Sequence, residues 1–356
     1  MVKLKMNIDI KKLKQNKEMW DIFTRKEEYN SKHLDYFEIH NLNMGKYVTK
    51  PIVSKFLIEN DLKINYPENK KFAVCLTHDV DDIYPPLHHT LLSSLYCIKN
   101  LNFKQLKKQL FWKNSGKEYS PYRNFKEIID LEEKYSAKSS FYFMATNKDI
   151  RRFRYHIEDL ENDLGFIWDN DCEIGLHGGY YAYNNLGEIK KEKERIEKVL
   201  GKSVIGYRNH YLMFKIPDTW ELLEKCGFKY DTTMGYNYGV GFRNGTCHPF
   251  KPFNLNSNKE IDILEIPMII MDSALFNVSI SIEQTWETVK NIINTVEKCN
   301  GVLTLSWHSE VFNWPFRENW KILYEKILKY CYEKNAWMTS GEEIYRWWNK
   351  NEESKN

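Results

Sequence analysis

What the 356-residue chain lacks narrows its class before any motif is read. No apolar run approaches the roughly 20 residues that a membrane-crossing helix needs, so no membrane span is expected. The opening stretch, Met-Val-Lys-Leu-Lys-Met-Asn-Ile-Asp-Ile-Lys-Lys, is charged throughout and contains no apolar h-region, which predicts a soluble, cytoplasmic protein. One-signed charge is equally scarce. The 52 Lys and Arg are interspersed with 49 Asp and Glu, for a net +3, and such a field gives no reason to expect a nucleic-acid partner. No Cys-x-x-Cys pair occurs. Cys75, Cys97, Cys172, Cys226, Cys247, Cys299 and Cys331 are odd in number and scattered, a pattern of small buried thiols rather than of a disulfide framework. No internal repeat or low-complexity segment is visible.

What is present is a 42% hydrophobic, 15% aromatic chain, enough for one large core. Residues 1–70 read as an N-terminal extension, with weak helical periodicity over 11–23 and an apolar patch at 52–57. From Lys71 to about residue 350, short apolar runs alternate with helical patterns. The predicted strands are 72–76, 140–144, 173–176, 204–207, 229–233, 263–270, 302–306 and 336–339. Helices are expected at 126–135, 185–200, 219–226, 282–298 and 320–334, the second capped by Asn185 and stopped by Gly201. Seven or eight such units in about 280 residues suit a closed (β/α)7–8 barrel better than an open sheet.

In a parallel barrel the strand ends share one mouth, where chemistry is assembled. Five of them carry polar clusters: Thr77-His-Asp-Val-Asp-Asp82, His177-Gly-Gly-Tyr-Tyr181, Arg208-Asn-His-Tyr211, Asp231-Thr-Thr and Trp307-His-Ser-Glu310. A lone His after an apolar run is usually a hydrogen-bonded core residue, but several converging on crowded carboxylates suit metal-assisted hydrolysis. Asp and His ligands fit a divalent ion, zinc foremost, with cobalt or nickel as alternatives. A second carboxylate can accept a proton, a His on the opposite wall can donate one, and Arg208 can keep the base ionised. Asp81 and Asp82 are neighbours, and spacing leaves open which of them is the ligand. His88 and His89, beyond Pro85-Pro86, read as an exposed loop.

At these residues the chain resembles the polysaccharide deacetylase superfamily, also called NodB-homology proteins or family-four carbohydrate esterases, over roughly residues 71–348. Thr77-His-Asp-Val-Asp81 resembles the first family motif, which implies Asp79 as catalytic base and Asp81 as metal ligand. His177 matches the first His of the second motif, Gly206-Tyr-Arg208 the Arg-containing third, and Leu303-Thr-Leu-Ser-Trp-His308 the last, implying His308 as general acid. Two departures stand out: Tyr181 occupies the place of the usual second metal His, and His210 that of a usual Pro. A neutral Tyr is a poor ligand for a divalent ion, so either His210, the preferred third ligand, or another nearby group completes the site, or metal binding is weakened or absent. Tyr181, Tyr211, Asp231, Arg243 and Trp307 are the candidate substrate-binding residues. The loop holding Gly239, Gly241, Arg243, Gly245 and His248 is expected to bend near the mouth, where it either grips an anionic or hydroxyl group or serves as a structural turn.

The resemblance implies a distorted NodB-type barrel and removal of an N-acetyl or O-acetyl group from a sugar. The chain further resembles a surface-polysaccharide biosynthesis branch, with an acetamido-sugar on a nucleotide-linked or lipid-linked glycan precursor as the expected partner. The alternatives are a ring-amide hydrolase on the same fold and a catalytically silent carbohydrate-binding protein. The sugar and the oligomeric state are not specified by the sequence.

Overall fold

The apolar run that begins at Phe72 becomes the central strand of a parallel sheet. A computed structural model describes residues 8–29, 50–278 and 281–353. Its strands are β1 (Ala73–Val80), β2 (Ser140–Met144), β3 (Glu173–Gly178), β4 (Gly206–Asn209), β5 (Tyr230–Asp231), β6 (Phe253–Asn254), β7 (Lys259–Glu260), β8 (Leu264–Glu265), β9 (Met268–Met271), β10 (Val302–Ser306) and β11 (Trp337–Thr339). The main sheet runs β8-β5-β4-β3-β2-β1-β10-β9, with β11 also paired to β1, while β6 and β7 form a small hairpin. Every pairing in the main sheet is parallel, as expected when helices connect successive strands.

The two ends of that order, β8 and β9, follow one another in the chain, separated by Ile266 and Pro267. The single strand expected over 263–270 is therefore two strands that pair with opposite edges, β8 with β5 and β9 with β10. Pro267 has no amide hydrogen to continue a ladder, so the chain changes partners there and the sheet curls into a distorted (β/α) barrel.

Small residues make the curl possible. A Cβ on Gly175 would lie 2.3 Å from the Tyr142 ring, and one on Gly206 would lie 2.2 Å from the Tyr230 hydroxyl, so only glycine lets these interior rings lie flat across neighbouring strands. The surrounding helices follow the sequence closely. The helix Leu186–Leu200 starts at Asn185, whose side chain accepts from the amides of Gly187 and Glu188, and stops at Gly201 with φ 70°. Helices Phe125–Glu133, Asp218–Lys225, Ile282–Lys298 and Glu318–Glu333 lie within a few residues of the expected spans.

The structure also differs from expectation after Pro85-Pro86. His88 and His89 lie in the helix Leu87–Lys99, not a loop, and His89 Nδ1 is 2.6 Å from the Tyr122 hydroxyl. The described part of residues 1–70 packs on the barrel: Leu13, Ile22, Phe23, Val53 and Leu57 belong to the same apolar cluster as Val74 and Leu305.

Candidate active site

The period of two along β1 sorts its residues. Thr77 and Asp79 face the barrel interior and Asp81 follows on the same side, whereas His78 faces outward, where Nε2 sits 2.9 Å from Glu132 Oε1 and Nδ1 lies 2.8 Å from the Trp307 carbonyl. Among the groups first singled out, His78 is thus a core residue. β1 also extends through Val80, because Thr77 to Val80 pair with Ser140 to Phe143 of β2. Asp79 therefore lies within the strand, and its carboxylate is buried.

That burial is compensated. Arg208, on β4, donates from Nη1 to Asp79 Oδ1 and to Thr77 Oγ1, both at 2.7 Å, and Ser306 Oγ donates to Asp79 Oδ2 at 2.9 Å. Burial raises the Asp79 pKa, but Arg208, His177 and His308 together outweigh it and hold the carboxyl below its ordinary range. Arg208 also lies over the Tyr142 ring, 4.8 Å from its centroid.

Asp81 meets three imidazoles. His177 Nε2 is 3.2 Å from Oδ1, His210 Nε2 is 3.2 Å from Oδ2, and His308 Nε2 is 3.8 Å from Oδ2. One ligand atom from each of Asp81, His177 and His210 lies within 4.8 Å of the others. Asp82 is turned away, with Oδ1 accepting from Arg152 and Oδ2 from Arg154, at 2.5 and 2.9 Å; of the two neighbouring carboxylates, only Asp81 faces the histidines.

The donor set fits a divalent ion. Asp81 Oδ1 is buried yet has no hydrogen-bond partner among the described residues, because His177 Nε2, although near, is not aligned for one. His177 Nδ1 is 3.1 Å from the Arg208 carbonyl; donating there would leave Nε2 as a lone-pair donor toward Asp81. Ligand atoms about 2 Å from a tetrahedral zinc stand about 3.3 Å apart, and each of His177 and His210 has its Nε2 3.2 Å from an Asp81 oxygen. Burial lowers the His210 pKa, but Asp81 and Asp149 override it and lift it to about 9, a measure of the negative field at this point.

Two carboxylates that the motifs did not point to support the histidines. Asp149 Oδ1 is 3.3 Å from His210 Nδ1, and Arg154 Nε donates to Asp149 Oδ2 at 2.6 Å. Asp272 Oδ1 is 2.6 Å from His308 Nδ1, and Oδ2 accepts from the His308 amide at 2.9 Å. Burial opposes the charged form of His308, but Asp272 dominates and holds its pKa well above the ordinary value. Both acids stand just beyond strand ends, after β2 and β9, the positions at which a parallel barrel assembles its chemistry. Glu310 is buried nearby, and burial pushes its carboxyl well above the usual range.

The proposed substrate-binding residues divide. Tyr181 is 43% exposed at the rim, with Lys148 Nζ 4.7 Å from its ring centroid, so its hydroxyl takes no place beside Asp81. Tyr211, at φ 59°, is half-buried, with its ring 4.2 Å from that of His210. Asp231, Arg243 and Trp307 do not reach the mouth. Asp231 is fully buried, accepts from Thr233 Oγ1 at 2.6 Å, and is raised by that burial to about 6. Arg243 donates to Glu28 Oε2 at 2.8 Å and to the Gly235 carbonyl at 3.2 Å, so the carboxylate it grips belongs to the N-terminal segment. Trp307 is sealed between Phe276 and Tyr324. The hydrogen bonds and ring contacts of these three side chains are made with the barrel interior and the N-terminal segment. The bent loop itself is present, and its Gly245 (φ +73°) passes close against Val53.

Solved structures share this architecture. The chain is similar to a candidate polysaccharide deacetylase from Mycobacterium smegmatis, with 16% identity over 81% of this chain and 94% of that one, at a TM-score of 0.56. It is similar to the allantoinase Puue (14%, 80% and 93%, 0.56) and to a candidate polysaccharide deacetylase from Pseudomonas aeruginosa PAO1 (15%, 80% and 93%, 0.53). No protein-family model matches the sequence, and no curated protein sequence matches it. At these identities the likeness establishes the fold they have in common, a NodB-type distorted barrel.

Proposed function

We propose that this barrel is a metal-dependent hydrolase that removes an acetyl group from an acetamido-sugar, or an O-acetylated one, in a glycan precursor. The observation that carries the reading is the convergence of Asp81, His177 and His210, flanked by Asp79 on one side and His308 on the other. A carbohydrate-binding surface would need neither a buried Arg-paired carboxylate nor a carboxylate-paired imidazole. The same fold in polysaccharide deacetylases and in an allantoinase leaves both an exocyclic acetamide and a ring amide as C–N substrates; the resemblance of the strand-end motifs to those of polysaccharide deacetylases favours the first.

In this reading Asp81, His177 and His210 hold the ion, zinc first among the candidates. The bound ion would supply polarisation of the acyl carbonyl and acidify a water. Asp79, kept ionised by Arg208, takes the proton of the attacking water. His308, kept protonated by Asp272, gives its Nε2 proton to the departing nitrogen as the C–N bond breaks, and acetate is released. Asp149 orients His210 as Asp272 orients His308. Seven free cysteines, six of them buried, accord with work in the reducing cytoplasm.

Metal content of the purified protein tests the core of the reading. About one equivalent in the wild type, lost in Asp81→Ala, His177→Ala and His210→Ala alike, is expected. Retention in His210→Ala would remove it as a ligand, and a metal-free wild type that still hydrolyses acetamido-sugars would overturn the metal role. Acetate release from acetamido-sugar nucleotides or lipid-linked sugars, set against ring opening of cyclic amides, tests the reaction.

A further inference from the structure

Between β1 and β2 the chain forms two helices, Leu87–Lys99 and Phe103–Ser115, that are turned inside out. The first buries Ser93, Ser94 and Cys97 and exposes the stripe Leu87, Leu91, Leu95 and Ile98, the reverse of the usual arrangement. The second buries Gln109 and Trp112 and exposes Phe103, Leu110 and Phe111. Leu101, in the turn between them, is 73% exposed. The polar inner faces have a purpose: Gln105 donates to Asn313 Oδ1 at 3.1 Å and Gln109 to the Asn313 carbonyl at 3.4 Å, tying the hairpin to the loop that follows His308.

The charge of this segment is as unusual as its burial. Residues 83–117 contain six Lys (Lys99, Lys104, Lys107, Lys108, Lys113 and Lys117) and no Asp or Glu, in a chain with 49 acids. The loop after β2, which leaves the same end of the parallel sheet, repeats the combination. Ile150 and Phe153 are 44% and 41% exposed beside exposed Arg151 and Arg152. Aliphatic and aromatic tips set among cations, on two separate elements around one mouth, match a fluid acyl layer beneath anionic headgroups. A second copy of the same face would set lysines against lysines.

We propose that this hairpin, together with the Ile150–Phe153 loop, docks the barrel mouth-first on an anionic lipid bilayer. The docking stands apart from the hydrolase reading; only its corollary, that the site prefers a lipid-borne over a nucleotide-borne sugar, rests on it. The full chain is mixed with unilamellar vesicles of phosphatidylcholine alone, or of phosphatidylcholine with an equal share of phosphatidylglycerol, and sedimented at low and high salt. Binding confined to the anionic vesicles and weakened by salt is expected. Lys104→Gln/Lys107→Gln/Lys108→Gln should bind them on the order of 100-fold more weakly, at about 1 kcal/mol per surface cation. Leu91→Gln/Leu95→Gln/Ile98→Gln, all at exposed positions, should fail to sediment while keeping the wild-type circular dichroism. Wild-type protein left in the supernatant with anionic vesicles overturns the proposal. So does vesicle binding that neither triple variant reduces, or a dimer in light scattering that the Leu/Ile variant dissolves, which would assign the face to a second copy. Because none of these measurements requires turnover, they stand or fall separately from the acetate assay.

Discussion

At the floor of the barrel Glu173 accepts from Tyr230 and Ser140, each at 2.5 Å, and from the Glu342 amide at 2.8 Å, while Tyr142 and Tyr230 share a hydrogen bond of 2.9 Å. At the mouth, two layers up, Asp81 Oδ1, His210 Nδ1 and Arg208 Nη2 are buried without a hydrogen-bond partner among the described residues. A carboxylate sits at each end, yet both oxygens of Glu173 accept hydrogen bonds whereas Asp81 Oδ1 accepts none among the described residues. An unmade buried bond costs on the order of 1–3 kcal/mol, so the bonded Glu173 helps hold the barrel together, while Asp81 Oδ1, 3.2 Å from His177 Nε2, stands open to a ligand.

Substitutions can break this contrast in graded ways. The largest effect belongs to Asp79→Asn. Loss of the base should lower acetate release by roughly 10²–10⁴-fold, with circular dichroism and metal content close to wild type; an unchanged rate would remove Asp79 from the chemistry. Next comes Glu173→Ala, which removes the acceptor of the Tyr230 and Ser140 hydroxyls and of the Glu342 amide. Denaturant unfolding should show a loss of about 3 kcal/mol, while metal content stays at the wild-type level. If instead metal is lost and stability kept, the floor and the mouth have been assigned the wrong way round.

Smaller changes sharpen the contrast. Asp149→Asn should weaken metal affinity by about 10- to 100-fold through His210, as read by competition with a chelator. Asp272→Asn removes the charge that raises the His308 pKa, so the alkaline limb of the pH–rate profile should move down toward the ordinary imidazole value near 6.5; an unmoved limb would exclude His308 as the titrating acid. The smallest effect is in the pH dependence of stability. Burial lifts Glu173 to about 7 from an ordinary 4.5, so the fold binds a proton that the unfolded chain releases. Its contribution is complete below pH 4.5 and lost as pH rises through about 7. Asp79 carries the opposite sign, contributing above pH 3.8 and losing that contribution as pH falls. Glu173→Gln should flatten the decline between pH 4.5 and 7 and leave the acid side as it was.

Legibility followed local physics. The motif histidines and Asp79, Asp81 and Arg208 could be found because each ends or occupies an apolar run, a pattern written in neighbouring residues. Asp149 and Asp272 follow the ends of β2 and β9 and are marked by that position; what no short spacing shows is their pairing with His210 and His308, 61 and 36 positions away. Arg243 and Asp231 had motif-like surroundings, but nothing local indicates that Glu28 and the interior claim them. The hairpin over residues 87–115 is hidden for another reason: its apolar stripe is written in the sequence, and only its orientation toward solvent makes it unusual.

By itself the sequence determined the alternation of strands and helices, the barrel that follows from it, and the chemical types gathered at the strand ends, since periodicity and turn chemistry act over a few residues. The tertiary structure alone decided which carboxylate of Asp81 and Asp82 meets the histidines, which acids orient His210 and His308, and which polar groups stay unsatisfied. Those outcomes depend on distances between residues far apart in the chain, set only when β1, β3, β4 and β10 are brought into register around one interior.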